Sequence, residues 1–366
     1  MNDKRQDKVT ITEVAKRAGV STATAGRALG GYGYSRKEIK ARVKQAAEEL
    51  GYRPNLLARG LITGKTKTIG VVAGDIQSPF YASILRGVAD VTRAAGFGIL
   101  LTNSDERIEL ELEAVQLLRE KQIDGLIIAP SDLSDSAHLQ AAILDGCPVV
   151  LIDRAIRNLA ADAVCVDNRE ASRDCVARLT AAGHRRIGLV AELERWNGGN
   201  VADFLAAVAS GRVDSSTLFP SWQRLYGYID ALRDAGIPVD PDLIGRVGLY
   251  SGEGARKETQ RLLDLPNRPT ALFSADGLMS AAAMGIITSL DLQIPRDLSL
   301  ICFDDLDWMS FLKPGIAAVV QPLTEMGEAA ARLVLSRIDG NEGPNQRLAL
   351  RPRFAERGSI AAPPSL

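Results

Sequence analysis

The chain has 366 residues, 46% of them hydrophobic, and a formal net charge of −1, which leaves room for a small domain and a body of roughly two more. No apolar run approaches the ~20 residues of a membrane span, and the opening MNDKRQDK lacks the apolar stretch of a secretion signal, so no membrane partner and a cytoplasmic location are expected. The four cysteines, Cys147, Cys165, Cys175 and Cys302, form no CxxC pair and stand apart from His138 and His184. They read as buried small residues, with no metal site and no cofactor in view.

In chain order, residues 9 to 29, VTITEVAKRAGVSTATAGRAL, read as two short helices joined by a tight turn. Thr10 and Glu13 make a capping box opening a helix whose Val14, Ala15 and Ala18 share one face. Gly19 permits the left-handed turn, and Ser21 caps a second helix from about Thr22 to Leu29, with Ala25 and Leu29 inward and Thr22, Ala23, Thr24 and Arg27 outward. That is helix-turn-helix spacing, in which the second helix enters the major groove. Thr22 and Ala23 are then the base readers, Thr24 and Arg27 phosphate or base contacts, and the capping residues Thr10 and Ser21 flank them at the backbone.

Ser35 and Glu38 read as another capping box, opening a third helix through Val43, Ala46, Ala47 and Leu50 to Gly51. In YRPNLLARGLITGKTKTIG, Pro54 suits a helix start and Gly64 a stop. Residues 1 to 68 hold 15 Lys and Arg against 6 Asp and Glu, a net of +9, and the remainder 29 against 39, a net of −10. A basic head suited to a polyanion therefore precedes an acidic body.

From about residue 68, short apolar runs alternate with amphipathic helical segments: TIGVVAGD, FGILLTNSD, IDGLIIAP, CPVVLIDR, AVCVDN, RIGLVAE, RVGLY, TALFSAD and LSLICFDD. Such alternation predicts parallel sheets covered on both faces. The number of strands exceeds one comfortable sheet, so two similar α/β lobes with a cleft between them are expected, ligands binding beyond the carboxyl ends of the strands. DIQSPF follows the first strand where a dinucleotide enzyme would carry a Gly-rich loop, and no catalytic dyad with a base is placed at a strand end. The chain is therefore not expected to be an enzyme.

Residues 9 to 72 resemble the DNA-binding region of the LacI/GalR family of bacterial transcriptional regulators, in TITEVAKRAGVS, AAEELGYRPNLLARGL and TGKTKTIGVV. The body resembles that family's periplasmic-binding-protein-like effector domain, in GVVAGDIQSPFY, VVLIDR, AAGHRRIGLV, ALFSADGLMSAAAMG and LSLICFDD. The resemblance implies a headpiece over 1–53, a hinge helix and linker over 54–67, and an effector-binding and dimerisation domain over 68–366. Its N-lobe would span about 68–166 and 322–341 and its C-lobe about 167–321 and 342–360. Leu61 would be the wedge in the minor groove at the operator centre, with Asn55 and Ala58 as further hinge contacts. Gly26 and Gly60 stand where the family usually has serine, and glycine within a helix costs about 1 kcal/mol relative to alanine.

The effector cleft is expected to be lined by Asp75, Ser78, Phe80 and Tyr81 after the first strand, and by Asp153 and Arg154 after the fourth. Arg224 at a helix start, Tyr250 and Asp276 after C-lobe strands and Gln321 at the last crossover complete it. Guanidiniums, carboxylates and rings suit a hydroxylated, sugar-like ligand. Asp304 and Asp305 are read as structural. A long segment between Ala191 and Arg224, with Trp196 and Trp222, is expected to line or cap the cleft. The tail RGSIAAPPSL has no leucine heptad, so a two-fold homodimer on a palindromic double-stranded operator is the economical assembly. These readings describe a repressor of carbohydrate-use genes controlled by a small effector. A two-lobed sugar-binding protein without a regulatory role is the alternative.

Overall fold

The computed structural model describes residues 9–30, 35–52, 65–194, 196 and 199–364. Asn55, Ala58 and Leu61, and with them nearly all of the expected hinge, lie outside the described residues.

The head is three helices, α1 (Ile11–Ala18), α2 (Thr22–Gly30) and α3 (Lys37–Glu49). The Thr10–Glu13 capping box forms in both directions, and Gly19 closes α1 at φ 62°, a conformation glycine adopts without penalty. The Thr24 amide donates to Ser21 Oγ at 3.2 Å, so Ser21 caps α2. A core of small residues, Val14, Ala15, Ala18, Ala25, Ala28, Val43, Ala46 and Ala47, joins the three helices, and Arg17 binds Glu49 of α3 at 2.7 Å. Ala25 and Ala28 are the buried residues of α2, and Leu29 packs against the same core half-buried. One expectation is corrected: α3 begins after Arg36, with no side-chain cap from Ser35.

The body has two six-stranded sheets. The first joins β1 (Thr68–Ala73), β2 (Gly98–Asn103), β3 (Gly125–Ile128), β4 (Val149–Ile152), β5 (Asp162–Val166) and β11 (Arg347–Leu350), in the order β11-β5-β4-β3-β1-β2 and parallel throughout. The second joins β6 (Ile187–Ala191), β7 (Ile244–Arg246), β8 (Ala271–Ser274), β9 (Ser299–Phe303), β10 (Ala317–Val320) and β12 (Arg353–Ala355), in the order β12-β10-β9-β8-β6-β7, with only β12 antiparallel. The inner strands are buried on both faces, which is why they read as unbroken apolar runs rather than alternating ones.

The order of strands is the same in both sheets, so β4 corresponds to β9, β3 to β8 and β1 to β6. The chain crosses between lobes after β5, after β10 and between β11 and β12. The last crossing corrects the expected boundary: residues 347–350, expected in the C-lobe, pair with β5 in the first. The expected strand RVGLY is likewise displaced, the observed strand being Ile244–Arg246.

In each lobe a pair of helices packs backbone to backbone at a glycine. In the first, α4 (Pro79–Ala94) meets α13 (Leu323–Ile338), where a Cβ on Gly87 would collide with the Thr324 carbonyl and one on Gly327 with that of Ile84. In the second, α7 (Asn168–Ala181) meets α9 (Pro220–Asp234), where a Cβ on Gly227 would collide with the Arg169 carbonyl. No described helix is long and apolar enough to cross a membrane.

Candidate functional site

On the head, Ser21, Thr22, Ala23 and Arg27 are exposed along one side of α2, with Thr24 half-buried beside them. The Thr24 hydroxyl lies 2.8 Å from Ser21 Oγ, and Arg27 Nε donates to the Ala23 carbonyl at 3.3 Å, holding its charge against the helix it would present to DNA. Thr10 spends its hydroxyl on Glu13. After the hinge, the Asp124 carboxylate accepts from the amides of Thr66 and Lys67, each at 2.8 Å, fastening the end of the linker to the first lobe.

The carboxyl ends of both sheets gather charged groups. In the first lobe β2 turns sharply through Asp105 and Glu106, at φ 48° and 56°, and presents Glu106 to Arg154. Both terminal nitrogens of Arg154 bind Glu106, and Nη1 also donates to the Pro130 carbonyl at 2.9 Å. Tyr81 donates to Glu106 Oε1 at 2.9 Å. Gly74 leaves the space, since a Cβ there would strike both Glu106 and the Tyr81 hydroxyl. Arg154 Nε lies 3.3 Å from Asp153 Oδ2, out of line for a hydrogen bond, and has no other partner.

Beneath this cluster, fully buried Glu111 accepts from the Ser131 amide at 2.5 Å and sits 2.7 Å from His138 Nε2. It thereby fixes the loop whose Pro130 carbonyl meets Arg154. Asp153 is 8% exposed and at φ 68°. Burial raises its pKa against the opposing pull of Arg154 and of Arg224. Burial also works against the charge of Arg154, but Glu106, Tyr81 and Asp153 override it and hold the guanidinium protonated.

In the second lobe Arg224 sits one turn inside α9, not at its start as expected. It is 6% exposed, donates from Nε to Asn168 Oδ1 at 2.9 Å and from Nη1 to the Ala275 carbonyl at 2.5 Å, and lies 3.9 Å from the Phe303 ring centroid. Asp276 caps α11 (Gly277–Ser289) through the Met279 amide at 3.0 Å. Burial pushes its pKa up to about 6 despite that bond and Arg224. Asp304, at φ 72°, accepts from the Gly277 amide at 3.1 Å and from Gln321 Nε2 at 2.5 Å, while Gln321 Oε1 is buried without a donor. Tyr250 is 45% exposed, and burial, then Asp276 and Asp304, raise the pKa of its hydroxyl.

The structure therefore brings Tyr81, Asp153, Arg154, Arg224, Tyr250, Asp276 and Gln321 into one electrostatic neighbourhood spanning both lobes. Phe80 reaches it through an edge contact with Tyr81 at 5.0 Å. Among the described residues, the side chains of Asp75 and Ser78 make only local bonds, accepting from the amides of Gln77 and Phe80.

Glu106 and Asn168 were not expected: Glu106 stands three residues after β2, and Asn168 two residues after β5 at the start of α7. Asp304, read as structural, belongs to the cluster, whereas Asp305 pairs with Arg357 at 2.6 Å. Trp222 is fully buried against Phe204 and Trp196, which corrects its expected place in the cleft. From the same long segment Phe219 faces Arg154 at 5.2 Å, and Asp214 binds Arg157 at 2.6 Å, both reaching across to the first lobe.

A family model of bacterial regulatory proteins of the lacI family matches residues 10–55, and one of a periplasmic binding protein-like domain matches 176–360. The HTH-type transcriptional repressor CytR of Escherichia coli is 32% identical over 346 residues, covering 94% of each chain. The chain belongs to the LacI family of bacterial transcriptional regulators. A LacI family regulator from Enterococcus faecium, solved with bound ribose, is 27% identical with a TM-score of 0.66, covering 81% of this chain and 99% of that one. The lac repressor dimer bound to operator and an anti-inducer gives a TM-score of 0.79 over 97% of this chain and 100% of that one; at 22% identity it shows the shared fold alone. As a family member this chain is a DNA-binding regulator, its head the reading module and its two-lobed body the effector module.

Proposed function

We propose that this regulator is a homodimeric repressor of carbohydrate-use genes, binding a palindromic double-stranded operator and responding to a sugar-like effector held between its lobes. The observation that carries the reading is the presence in one chain of an exposed helix-turn-helix face at Thr22, Ala23 and Arg27 and a buried cluster of Arg154, Arg224, Asp153 and Asp276 spanning two lobes. Vicinal hydroxyls donate to carboxylates and accept from guanidiniums, and the rings of Tyr81 and Tyr250 supply apolar faces for a sugar ring. The ribose in the Enterococcus faecium relative supports a ligand of this class.

Control then follows by linkage. An effector that prefers one angle between the lobes shifts the population of that angle. The first lobe holds the end of the linker through Asp124, so the spacing of the two heads in a dimer changes with it. Asn55, Ala58 and Leu61 in the hinge and Thr10, Ser21 and Thr24 in the head complete the proposed DNA contacts, and Asp75, Ser78, Phe80 and Gln321 the proposed effector contacts. The test is capture of genomic DNA fragments by the purified protein, repeated with sugars, sugar acids and polyols. Recovery of a palindrome beside sugar-use genes, released by one compound, is the expected result; enrichment of no sequence overturns the regulator's specificity, and indifference to every compound overturns the effector.

A further inference from the structure

Residues 199–219, the later part of the long segment between β6 and α9, are fixed at both ends to the second lobe. Phe204 of α8 (Val201–Ala209) and Trp222 are fully buried in that lobe's core, their ring centroids 4.8 Å apart, and Trp196 closes the cluster at 5.1 and 5.6 Å. A capping box of Asn200 and Asp203 sets the start of α8. Gln223 Nε2 donates to the Leu218 carbonyl at 2.8 Å and ties the end of the segment to α9. Between these anchors the chain reaches the first lobe twice.

Arg157 Nη1 donates to Asp214 Oδ2 at 2.6 Å, and the Phe219 ring stands 5.2 Å from the Arg154 guanidinium. Both contacts fall on the loop that follows β4. Each side of the ion pair is set in advance. Asp214 Oδ1 accepts from the amide and the hydroxyl of Ser216, at 3.0 and 2.7 Å, while Oδ2 faces Arg157. Across the gap, Arg347 of β11 holds the carbonyls of Ile156 and Arg157 at 3.1 and 3.0 Å. A surface ion pair ordinarily adds little, because two long side chains must be ordered and solvent screens them. Here other bonds have done much of that ordering, and the pair acts between two lobes joined by three crossovers. A factor of about two to five, the upper range for such a pair, is enough to shift the populations of two interlobe angles.

We propose that residues 199–219 form a clasp between the lobes, in which Asp214 on Arg157 and Phe219 on Arg154 hold the interlobe angle seen here against a more open one. The linker is fastened to the first lobe through Asp124, so opening of the clasp alters the spacing of the heads in a dimer without any ligand. Its part in effector control rests on the effector reading above: a ligand that engages Arg154 meets Phe219 as well, and its preference for one angle is set against the clasp. The clasp itself needs neither effector nor DNA, and it is tested without them.

Pulsed electron spin resonance on the full chain reads the angle. Ketone-bearing residues placed at Leu144, 77% exposed at the end of α6 (Ala137–Leu144) in the first lobe, and at exposed Arg185 before β6 in the second carry the spin labels and leave the cysteines untouched. Dilution with unlabelled chain confines the measured distance to one chain. The parent shows one dominant distance. Asp214→Asn, which keeps an oxygen for Ser216 and loses the charge, and Arg157→Gln each raise the share of longer distances about two- to fivefold, and the double variant goes no further than either single one. Phe219→Leu adds its own shift to that of Asp214→Asn, since it removes the other contact. Raising NaCl from about 0.05 M to about 1 M brings the parent to the distribution of the charge variants and leaves those variants where they are; a merely structural role of Asp214 would not produce this. Distributions unchanged by the substitutions, additive shifts in the double variant, or an equal salt response in parent and variants overturns the clasp. Indifference of captured operator DNA to every compound would overturn the effector reading and leave these distances, and the clasp, as they stand.

Discussion

Asp153 and Asp304 occupy the same station in the two lobes. Each is the first residue after the third strand of its sheet, β4 or β9, and each takes a left-handed conformation, at φ 68° and 72°. The conformation is uncommon for a residue with a Cβ, though aspartate is among those that tolerate it, and it turns both chains out of their sheets at the cleft. What differs is the neighbour: Asp153 has Arg154 beside it, while Asp304 has the amide of Gly277 and the side chain of Gln321. The duplicated strand order thus supplies two equivalent carboxylates with unlike neighbours.

The cost of burying a carboxylate in the second lobe is measurable at Asp276. In the folded state its carboxyl titrates near 6 rather than at the ordinary 3.8, so between those values the native form binds more protons than the unfolded one. Stability from this group is greatest below pH 3.8 and falls as pH rises to about 6. Asp276→Asn retains a good helix cap for Met279 and abolishes the titration. The variant should equal the parent near pH 4 and exceed it at pH 7, by about 1–3 kcal/mol at 1.36 kcal/mol per pKa unit. Urea midpoints at pH 4, 5, 6 and 7 decide it, and a difference that does not vary with pH would show that the carboxyl is not perturbed.

Arg224 carries a different prediction because it is the positive charge that both walls share. Arg224→Ala orphans Asn168 Oδ1 and the Ala275 carbonyl and deprives Asp153 and Asp276 of its field. Removing one partner from a buried charge network destabilises by about 3–5 kcal/mol. Lysine would keep the charge but not a planar fork with two fixed donors, so Arg224→Lys should be intermediate. Below their melting temperatures both variants should bind operator DNA, with the effector response lost in the alanine variant. An effector affinity unchanged from the parent would remove Arg224 from the site.

Legibility in the sequence followed chain locality. The capping box at Thr10, the turn at Gly19 and the apolar runs of β1, β3, β4, β8 and β9 depend on residues close in sequence, and all were readable. Residues directly after those runs, Asp153, Arg154 and Asp276, could be placed at a sheet edge for the same reason. Arg224 could be placed only through the helix that follows the long segment, and it sits a turn deeper than expected. Glu106 was missed because its role is set by Tyr81 and Arg154, 25 and 48 residues away. Trp222 was misplaced because apolar surface does not itself say whether it meets a core or a cleft, and here Phe204 and Trp196 decide the matter. The short third crossing also escaped notice, since β11 and β12 are separated by only two residues yet belong to different sheets.

Two glycines of the second lobe should respond to alanine with opposite sign. Gly227 lies where α9 meets α7 backbone to backbone, and a methyl there strikes the Arg169 carbonyl, which cannot swing aside as a side chain can. Gly227→Ala should cost about 1–3 kcal/mol. Gly285 lies within α11, where a Cβ would make ordinary contact with the Arg256 guanidinium at 3.6 Å. Gly285→Ala should stabilise by about 0.5–1 kcal/mol, the difference in helix propensity. Denaturant midpoints of both variants test the pair; a stable Gly227→Ala would mean that the two helices can separate without loss.

Leu61 is the residue through which the hinge would select its operator. An apolar side chain wedged into the minor groove unstacks a base step and kinks the duplex, and the energy is recovered only on sequences that deform readily and bring both heads into contact. Phosphate contacts from the basic head, by contrast, act on any duplex and weaken steeply with salt. Leu61→Ala should therefore weaken binding to the captured operator by tenfold or more while binding to unrelated DNA stays within a factor of about two, with its salt dependence intact. Fluorescence anisotropy on operator and scrambled duplexes at several salt concentrations separates the two components. Equal loss on both duplexes would assign Leu61 to the folding of the head, and no loss on either would leave sequence recognition to Thr22, Ala23 and Arg27 alone.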